Sequence, residues 1–137
     1  MIVLDTNIVS EWIKPKPSTA VFEWLDERPD ERLMITSITV AELHYGFNLL
    51  PEGRRRKQLE QSIGSLLEDE FFGQVLGFGH EAARRYGALS AQLKAEGIVI
   101  GQNDTMIASI VAEHEATLLT RNDKHFVHCG INVVNPF

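Results

Sequence analysis

Short runs of apolar residues alternate along this chain with longer segments whose apolar residues recur every three or four positions. The short runs predict buried strands, and the longer segments predict amphipathic helices. Strands are expected at residues 2–4, 32–37, 74–79, 117–120 and 131–135. Helices are expected at residues 5–12, 18–28, 39–50, 53–68, 80–97 and 103–116.

This alternation predicts an α/β fold with a parallel sheet that is covered by helices on both faces. The chain of 137 residues fits one domain, 1–137, because domains usually span about 100–200 residues. In such sheets, ligands bind beyond the carboxyl ends of the strands. Polar residues that follow a strand are therefore the first candidates for a functional site.

The composition is that of an ordinary globular protein, with 44% hydrophobic and 23% charged residues. Cys129 is the only cysteine, so no internal disulfide can form, which suits a reducing compartment. The segment from Met1 to Asp5 lacks the features of a signal peptide. No apolar stretch approaches the ~18 residues of a membrane span. We therefore expect a cytoplasmic protein without membrane attachment.

The formal net charge is −6. Proteins that bind nucleic acid by passive electrostatic attraction usually carry a basic surface, so this charge argues against that class. Divalent cations held by carboxylates would reverse the sign of the charge locally, and a nuclease site of that kind is therefore still compatible with the composition.

Acids and amides recur near the ends of the predicted strands. Asp5 follows the first strand, Glu42 lies in the first turn of the helix after the second, and Asp104 lies in the first turn of the helix before the fourth. Asn122 and Asp123 follow the fourth strand. If the strands are parallel, these side chains meet at one edge of the sheet.

Carboxylates that are packed together repel each other, and they either take up protons or bind a cation. Hard oxygen ligands suit Mg²⁺, with Mn²⁺ as the alternative. A bound metal ion can activate a water molecule and neutralise charge on a phosphodiester. The set therefore predicts hydrolytic phosphodiester chemistry.

Each acid, taken alone, also has a purely structural interpretation. Thr39 and Glu42 have the spacing of a capping box, which places a helix start near Thr39. Asp104 can likewise cap its own helix. The functional interpretation depends on the set of acids rather than on any single member.

Four segments, "VLDTNIVSE", "SITVAELHYG", "NDTMIAS" and "LLTRNDKHF", resemble the motifs of PIN-domain ribonucleases, in particular the VapC-type toxins of toxin–antitoxin modules. The order and spacing are family-like, and the "NPF" ending is similar to that of FitB-like members. The resemblance implies a three-layer α/β/α fold with a five-stranded parallel sheet. It also implies a magnesium-dependent endoribonuclease that hydrolyses RNA with a metal-activated water.

The resemblance also implies roles for individual residues. Asp5, Glu42 and Asp104 match the three main acids of the family, which act in catalysis and bind the metal. The fourth catalytic position, often Asp in the family, is Asn122 here, and its neighbour is Asp123. An amide can ligate through its carbonyl but adds no charge. Which of these two residues supplies the fourth ligand, and whether a second metal ion binds, therefore stays open.

Thr6 and Asn7 match the polar residues beside the first acid of the family. They are suited to hydrogen-bonding a carboxylate or a metal-bound water. Arg54 and Arg55 in "RRRK", and Arg121 after the fourth strand, are candidate contacts for the RNA backbone. Short basic runs also commonly just face solvent.

Partners follow from the same resemblance. It implies an RNA substrate, a homodimer, a VapB-type antitoxin, and binding of operator DNA only through the antitoxin complex. Leu43, Tyr45, Phe47, Leu49 and Leu50 give one helix more apolar positions than a single buried stripe needs. The surplus predicts either a dimer or partner interface or a thoroughly buried helix.

Other classes explain the sequence less well. A haloacid-dehalogenase-like phosphatase needs a second Asp where Asn7 stands, and a receiver-like domain needs an acid pair and a late Lys that are absent. A catalytically weak partner-binding domain is the remaining alternative. His125, His128 and Cys129 match no zinc spacing, so we expect structural roles for them.

Overall fold

The computed structural model describes all 137 residues. The strands are β1 (Ile2–Leu4), β2 (Leu33–Thr36), β3 (Val75–Leu76), β4 (Thr117–Leu119) and β5 (Asn132–Val134). The α-helices are α1 (Thr6–Val9), α2 (Thr19–Asp26), α3 (Ser37–Asn48), α4 (Arg54–Asp69), α5 (His80–Ala95) and α6 (Gln102–Glu113). Two 3₁₀ helices cover Ser10–Ile13 and Asp123–Phe126.

The five strands form one sheet in the order β3-β2-β1-β4-β5, and every pairing is parallel. The predicted five-stranded parallel sheet is therefore confirmed. β1 is the central strand, with β2 and β3 on one side of it and β4 and β5 on the other. This order differs from the 2-1-3-4-5 order of flavodoxin-like sheets, to which receiver domains belong.

Helices cover both faces of the sheet, as predicted. Ile2 and Leu4 of β1 lie in a buried cluster with residues of α1, α2, α3 and α4. Val3, which points to the opposite face, lies in a second cluster with Ile107 and Val111 of α6. Alternate side chains of one strand thus pack into two separate cores on opposite faces of the sheet, which gives the three-layer α/β/α arrangement.

The predicted boundaries of two helices near the candidate site are wrong. The helix expected at 5–12 is α-helical only to Val9 and continues as a 3₁₀ helix to Ile13. The capping box at Thr39 does not form, because the Oγ1 of Thr36 accepts the Thr39 N–H at 3.1 Å and caps α3 three residues earlier. Glu42 therefore lies in the second turn of α3, and the proximity of the helix N-terminus contributes less to its charge than expected.

Gly97 ends α5 as predicted. Its φ of +71° is a left-handed conformation that side-chain-bearing residues rarely adopt. The expected strand at 74–79 is reduced to Val75–Leu76 at the edge of the sheet. No helix combines the length and the apolar character that a bilayer crossing requires.

Candidate active site

Asp5 occupies the carboxyl end of the central strand β1. Its backbone N–H donates to the carbonyl of Leu119 at 2.9 Å, which extends the β1–β4 pairing by one residue. The side chain is only 4% exposed. Its carboxylate accepts hydrogen bonds from the Thr6 N–H at 2.9 Å, the Asn7 amide at 3.3 Å and the Thr120 hydroxyl at 2.7 Å. Asp5 is thus a buried carboxylate with a fixed orientation.

Glu42 is connected to the same cluster through Thr6. The Thr6 hydroxyl donates to Oε1 of Glu42 at 2.8 Å and lies 3.1 Å from the hydroxyl of Thr39. Thr6 therefore contacts Asp5 through its backbone and Glu42 through its side chain. The hydrogen-bonding role expected of Thr6 and Asn7 beside the carboxylates agrees with these contacts.

Asp104 lies in the first turn of α6, at the position expected from the sequence. Its Oδ2 is 2.9 Å from Nδ1 of His125, which comes from the 3₁₀ helix after β4. The structural role expected of His125 stays a prediction; its side chain is 55% exposed and contacts one of the candidate acids. Cys129, by contrast, is buried.

Electrostatic interactions link the three acids. Burial raises the pKa of Asp5, and the charge of Asp104 adds to that increase, while the hydrogen bonds from Thr120 and Thr6 oppose it. Burial also raises the pKa of Glu42, and the charges of both Asp5 and Asp104 raise it further. The structure therefore brings Asp5, Glu42 and Asp104 within mutual electrostatic reach, where a cation would relieve the repulsion.

The donor set suits a hard divalent cation. As the side chains lie in this structure, they form no group of three or more His, Cys, Asp or Glu that could hold a metal ion. Mg²⁺ does not need such a group, because it usually keeps several waters and binds through one or two carboxylates together with substrate phosphates. Asp5, Glu42 and Asp104 offer such oxygens, and burial together with neighbouring carboxylate charge raises the pKa of Asp5 and of Glu42.

Asn122 and Asp123 are not joined to the three acids by any hydrogen bond. The carboxylate of Asp123 accepts from the Asn135 amide at 3.1 Å, near the chain end. The backbone N–H of Asn122 donates to Thr120 at 3.0 Å, and its side chain is exposed. A fourth catalytic residue at either position stays a prediction.

The candidate RNA contacts fall in two places. The backbone N–H of Arg121 donates to the side chain of Asn7 at 3.0 Å, and its guanidinium stacks 3.8 Å from the centre of the Phe137 ring. Arg121 is therefore anchored beside the acidic cluster. Arg54 and Arg55 are exposed at the start of α4, which packs against the helix that carries Glu42.

Two contributors to this site were missed from the sequence. Thr120 binds Asp5 across 115 positions of the chain. The β1–β4 register could have revealed it, since Leu4 pairs with Leu119 and the next residues are therefore neighbours. His125 carried no local signal, because its place depends on how the 3₁₀ helix turns back over α6.

A family model described as the PIN domain matches residues 2–131, nearly the whole chain. The chain belongs to the PIN-domain family. This PIN domain is 39% identical to the VapC ribonuclease Y4jK of Sinorhizobium fredii, over 100% of this chain and 98% of that protein. It is 34% identical to the toxin FitB of Neisseria gonorrhoeae, over 100% of this chain and 99% of that protein. The predicted resemblance to VapC-type and FitB-like proteins is confirmed.

The fold of this PIN domain is also found among solved structures. It superposes on a chain of the structure of FitAB bound to an IR36 DNA fragment with a TM-score of 0.88. The two chains are 33% identical, and the match covers 99% of this chain and 95% of the other. The observed strand order and helical layers are therefore those of an established PIN-domain fold.

Proposed function

We propose that this chain is a magnesium-dependent endoribonuclease that acts as the toxin of a VapBC-type toxin–antitoxin system. The observation that carries the proposal is that Thr6 hydrogen-bonds both the buried Asp5 and Glu42 at the carboxyl end of the sheet. Asp104 lies close enough for its charge to raise the pKa of both. Membership of the PIN-domain family, with full-length relatives named as a ribonuclease and a toxin, supports the reaction type and the biological role.

The three acids would each supply a ligand to the cation, in a way that depends on how each is held. Asp5, buried and held by three hydrogen bonds, would be the most rigid ligand of the cation. Glu42 and Asp104, which are less buried, would complete its carboxylate ligands. A bound Mg²⁺ or Mn²⁺ ion would supply an activated water and neutralise charge that develops on the phosphodiester.

At the fourth position, Asn122 is the better candidate. Its side chain is exposed and makes no hydrogen bond to the protein, whereas the carboxylate of Asp123 is held by Asn135. Arg121, whose backbone N–H donates to Asn7, would bind an RNA phosphate through its guanidinium. Arg54 and Arg55 would extend this contact along the RNA backbone, where lysine and arginine contacts supply most of the salt-dependent affinity.

The proposed partners follow from the same family. A VapB-type antitoxin would neutralise the enzyme, and a basic side chain entering the acidic pocket would match its charge. The solved FitAB structure contains DNA, which supports binding of operator DNA through the antitoxin complex. Tyr45 on α3 and Leu49 at its C-terminal end are 66% and 65% exposed, which supports a homodimer or antitoxin interface there.

Cleavage of RNA by the purified full chain tests the proposal. Total cellular RNA is incubated with Mg²⁺, with Mn²⁺ or with EDTA, and the new 5′ and 3′ ends are mapped. We expect discrete ends that require the cation. Asp5→Asn and Glu42→Gln should lose more activity than the ~10–100-fold that is typical when only a hydrogen-bonding partner of a metal ligand is lost.

The matched control is Asp26→Asn, which changes an exposed carboxylate on α2 in the same way. It should cleave like the wild type. Equal cleavage in EDTA, or full activity of a folded Asp5→Asn protein, would contradict the metal-dependent mechanism. Asn122→Ala and Asp123→Asn, measured separately, decide which residue serves at the fourth position.

A further inference from the structure

Each of the three acids has its own hydrogen-bonding support. Asp5 is held by the backbone of Thr6 and by Thr120, and Glu42 is held by the Thr6 hydroxyl. Asp104 has a single such partner, His125, whose Nδ1 lies 2.9 Å from its Oδ2. The residues that hold the other two acids are buried or half-buried, whereas His125 is 55% exposed and comes from a different element.

The direction of this hydrogen bond follows from the chemistry of the partners. A carboxylate oxygen can only accept, so Nδ1 of His125 carries the hydrogen and donates it. The bond occupies Oδ2 of Asp104 and leaves Oδ1 free for another partner. Without it, no hydrogen bond would hold the partly exposed Asp104 carboxylate in one rotamer.

We propose that His125 is a positioning residue that orients the Asp104 carboxylate toward a divalent cation. The inference rests on the proposed function, because it takes Asp104 as a ligand. His125 acts through Asp104 and does not itself bind the metal ion. Hydrogen-bonding partners of metal ligands commonly contribute this kind of orientation, and their loss weakens metal affinity about 10–100-fold.

Two substitutions at residue 125 separate this role from the alternatives. Asn places its amide nitrogen at the same distance from the backbone as Nδ1 of histidine, so His125→Asn keeps the donor to Asp104 and removes Nε2. His125→Leu removes both nitrogens. His128→Asn is the control, because His128 is exposed in the same segment and makes no hydrogen bond to the protein. The substituted side chains are exposed, and circular dichroism checks that each protein is folded.

The readout is Mn²⁺ affinity of the purified full chain without RNA, measured from the free-ion electron paramagnetic resonance signal. We expect His125→Leu to raise the Kd for Mn²⁺ by roughly 10–100-fold. His125→Asn should stay within about threefold of the wild type, and His128→Asn should match it. Pulsed resonance spectra of bound Mn²⁺ should show no directly coordinated nitrogen.

Unchanged affinity of His125→Leu would overturn the proposal. So would an equal loss in His125→Asn and His125→Leu, or a nitrogen coupling that His125→Leu abolishes, since both results make His125 a direct ligand. Asp104→Asn is measured in parallel. If Asp104→Asn binds Mn²⁺ like the wild type, the assignment of the metal site itself fails, and this failure is distinct from failure of the role of His125 alone.

Discussion

Replacing Thr120 with valine removes one hydroxyl from the centre of the acidic cluster and keeps the branched shape of the side chain. Thr120 is completely buried. Its hydroxyl donates to Oδ2 of Asp5 at 2.7 Å and accepts the backbone N–H of Asn122 at 3.0 Å. The remaining hydrogen bond to that Asp5 oxygen, from the Asn7 amide, is long at 3.3 Å. Valine therefore leaves a buried carboxylate oxygen poorly satisfied.

The expected loss of stability follows from these contacts. A hydrogen bond to a charged group contributes about 1.5–3 kcal/mol, so Thr120→Val should lower the free energy of unfolding by roughly that amount at neutral pH. For a domain of this size the melting temperature should fall by roughly 5–15 °C. The hydroxyl stabilises the charged form of Asp5, so its removal raises the pKa of Asp5 further. The stability that Thr120→Val loses should therefore become smaller as acid protonates this carboxyl.

The assay is chemical unfolding in EDTA at several pH values, followed by fluorescence of Trp12 and Trp24. Thr117→Val is the matched control, because Thr117 begins β4, the strand that Thr120 directly follows, and its hydroxyl makes no hydrogen bond. The control should differ from the wild type by much less than Thr120→Val. A Thr120→Val protein that is as stable as the control at neutral pH, or whose penalty grows in acid, would refute the reasoning.

Three further predictions concern charge, metal and backbone conformation. Because the pKa of Glu42 is raised, its charged form destabilises the metal-free fold above that pKa. In EDTA at neutral pH, Glu42→Gln should therefore be more stable than the wild type. This difference in stability should vanish as the pH falls through the raised pKa toward 4.5. A difference in stability between the two proteins that stays constant with pH would contradict the raised pKa of Glu42. Mg²⁺ at 100 times its Kd should stabilise the wild type by about 2.7 kcal/mol in thermal unfolding, and Asp5→Asn should show little of this gain. Gly97→Ala, at a φ of +71°, should destabilise the protein by about 1–2 kcal/mol. Gly64→Ala, in open space within α4, should stabilise it by about 0.4–1 kcal/mol. Urea unfolding should therefore show changes of opposite sign in the free energy of unfolding of the two variants.

Much of the fold could be predicted because apolar periodicity directly reports which residues face a core. The run Ile2–Leu4 is buried on both faces, and α6 carries the apolar stripe expected of a helix packed on a sheet. Helix starts were less predictable. Thr36 and Thr39 are both good capping residues, and the path of the chain out of β2 decides that Thr36 caps while Thr39 faces Thr6.

The acidic residues of the site were also accessible from sequence, because parallel strands bring their carboxyl ends to one edge of the sheet. Their hydrogen-bonding partners were not. Thr120 and His125 reach Asp5 and Asp104 from segments 115 and 21 positions away. Such contacts depend on strand register and on the turn of a short 3₁₀ helix, which local patterns do not encode. The same turn directs Asp123 toward Asn135 instead of the three acids.

A crystal of the full chain soaked in Mn²⁺, examined by anomalous scattering, tests the central claim most directly. We predict one strong anomalous peak within bonding distance of Asp5 and of at least one oxygen of Glu42 or Asp104. That peak should disappear in Asp5→Asn crystals grown and soaked in the same way. A strong peak elsewhere on the protein, with none near Asp5, would contradict the account.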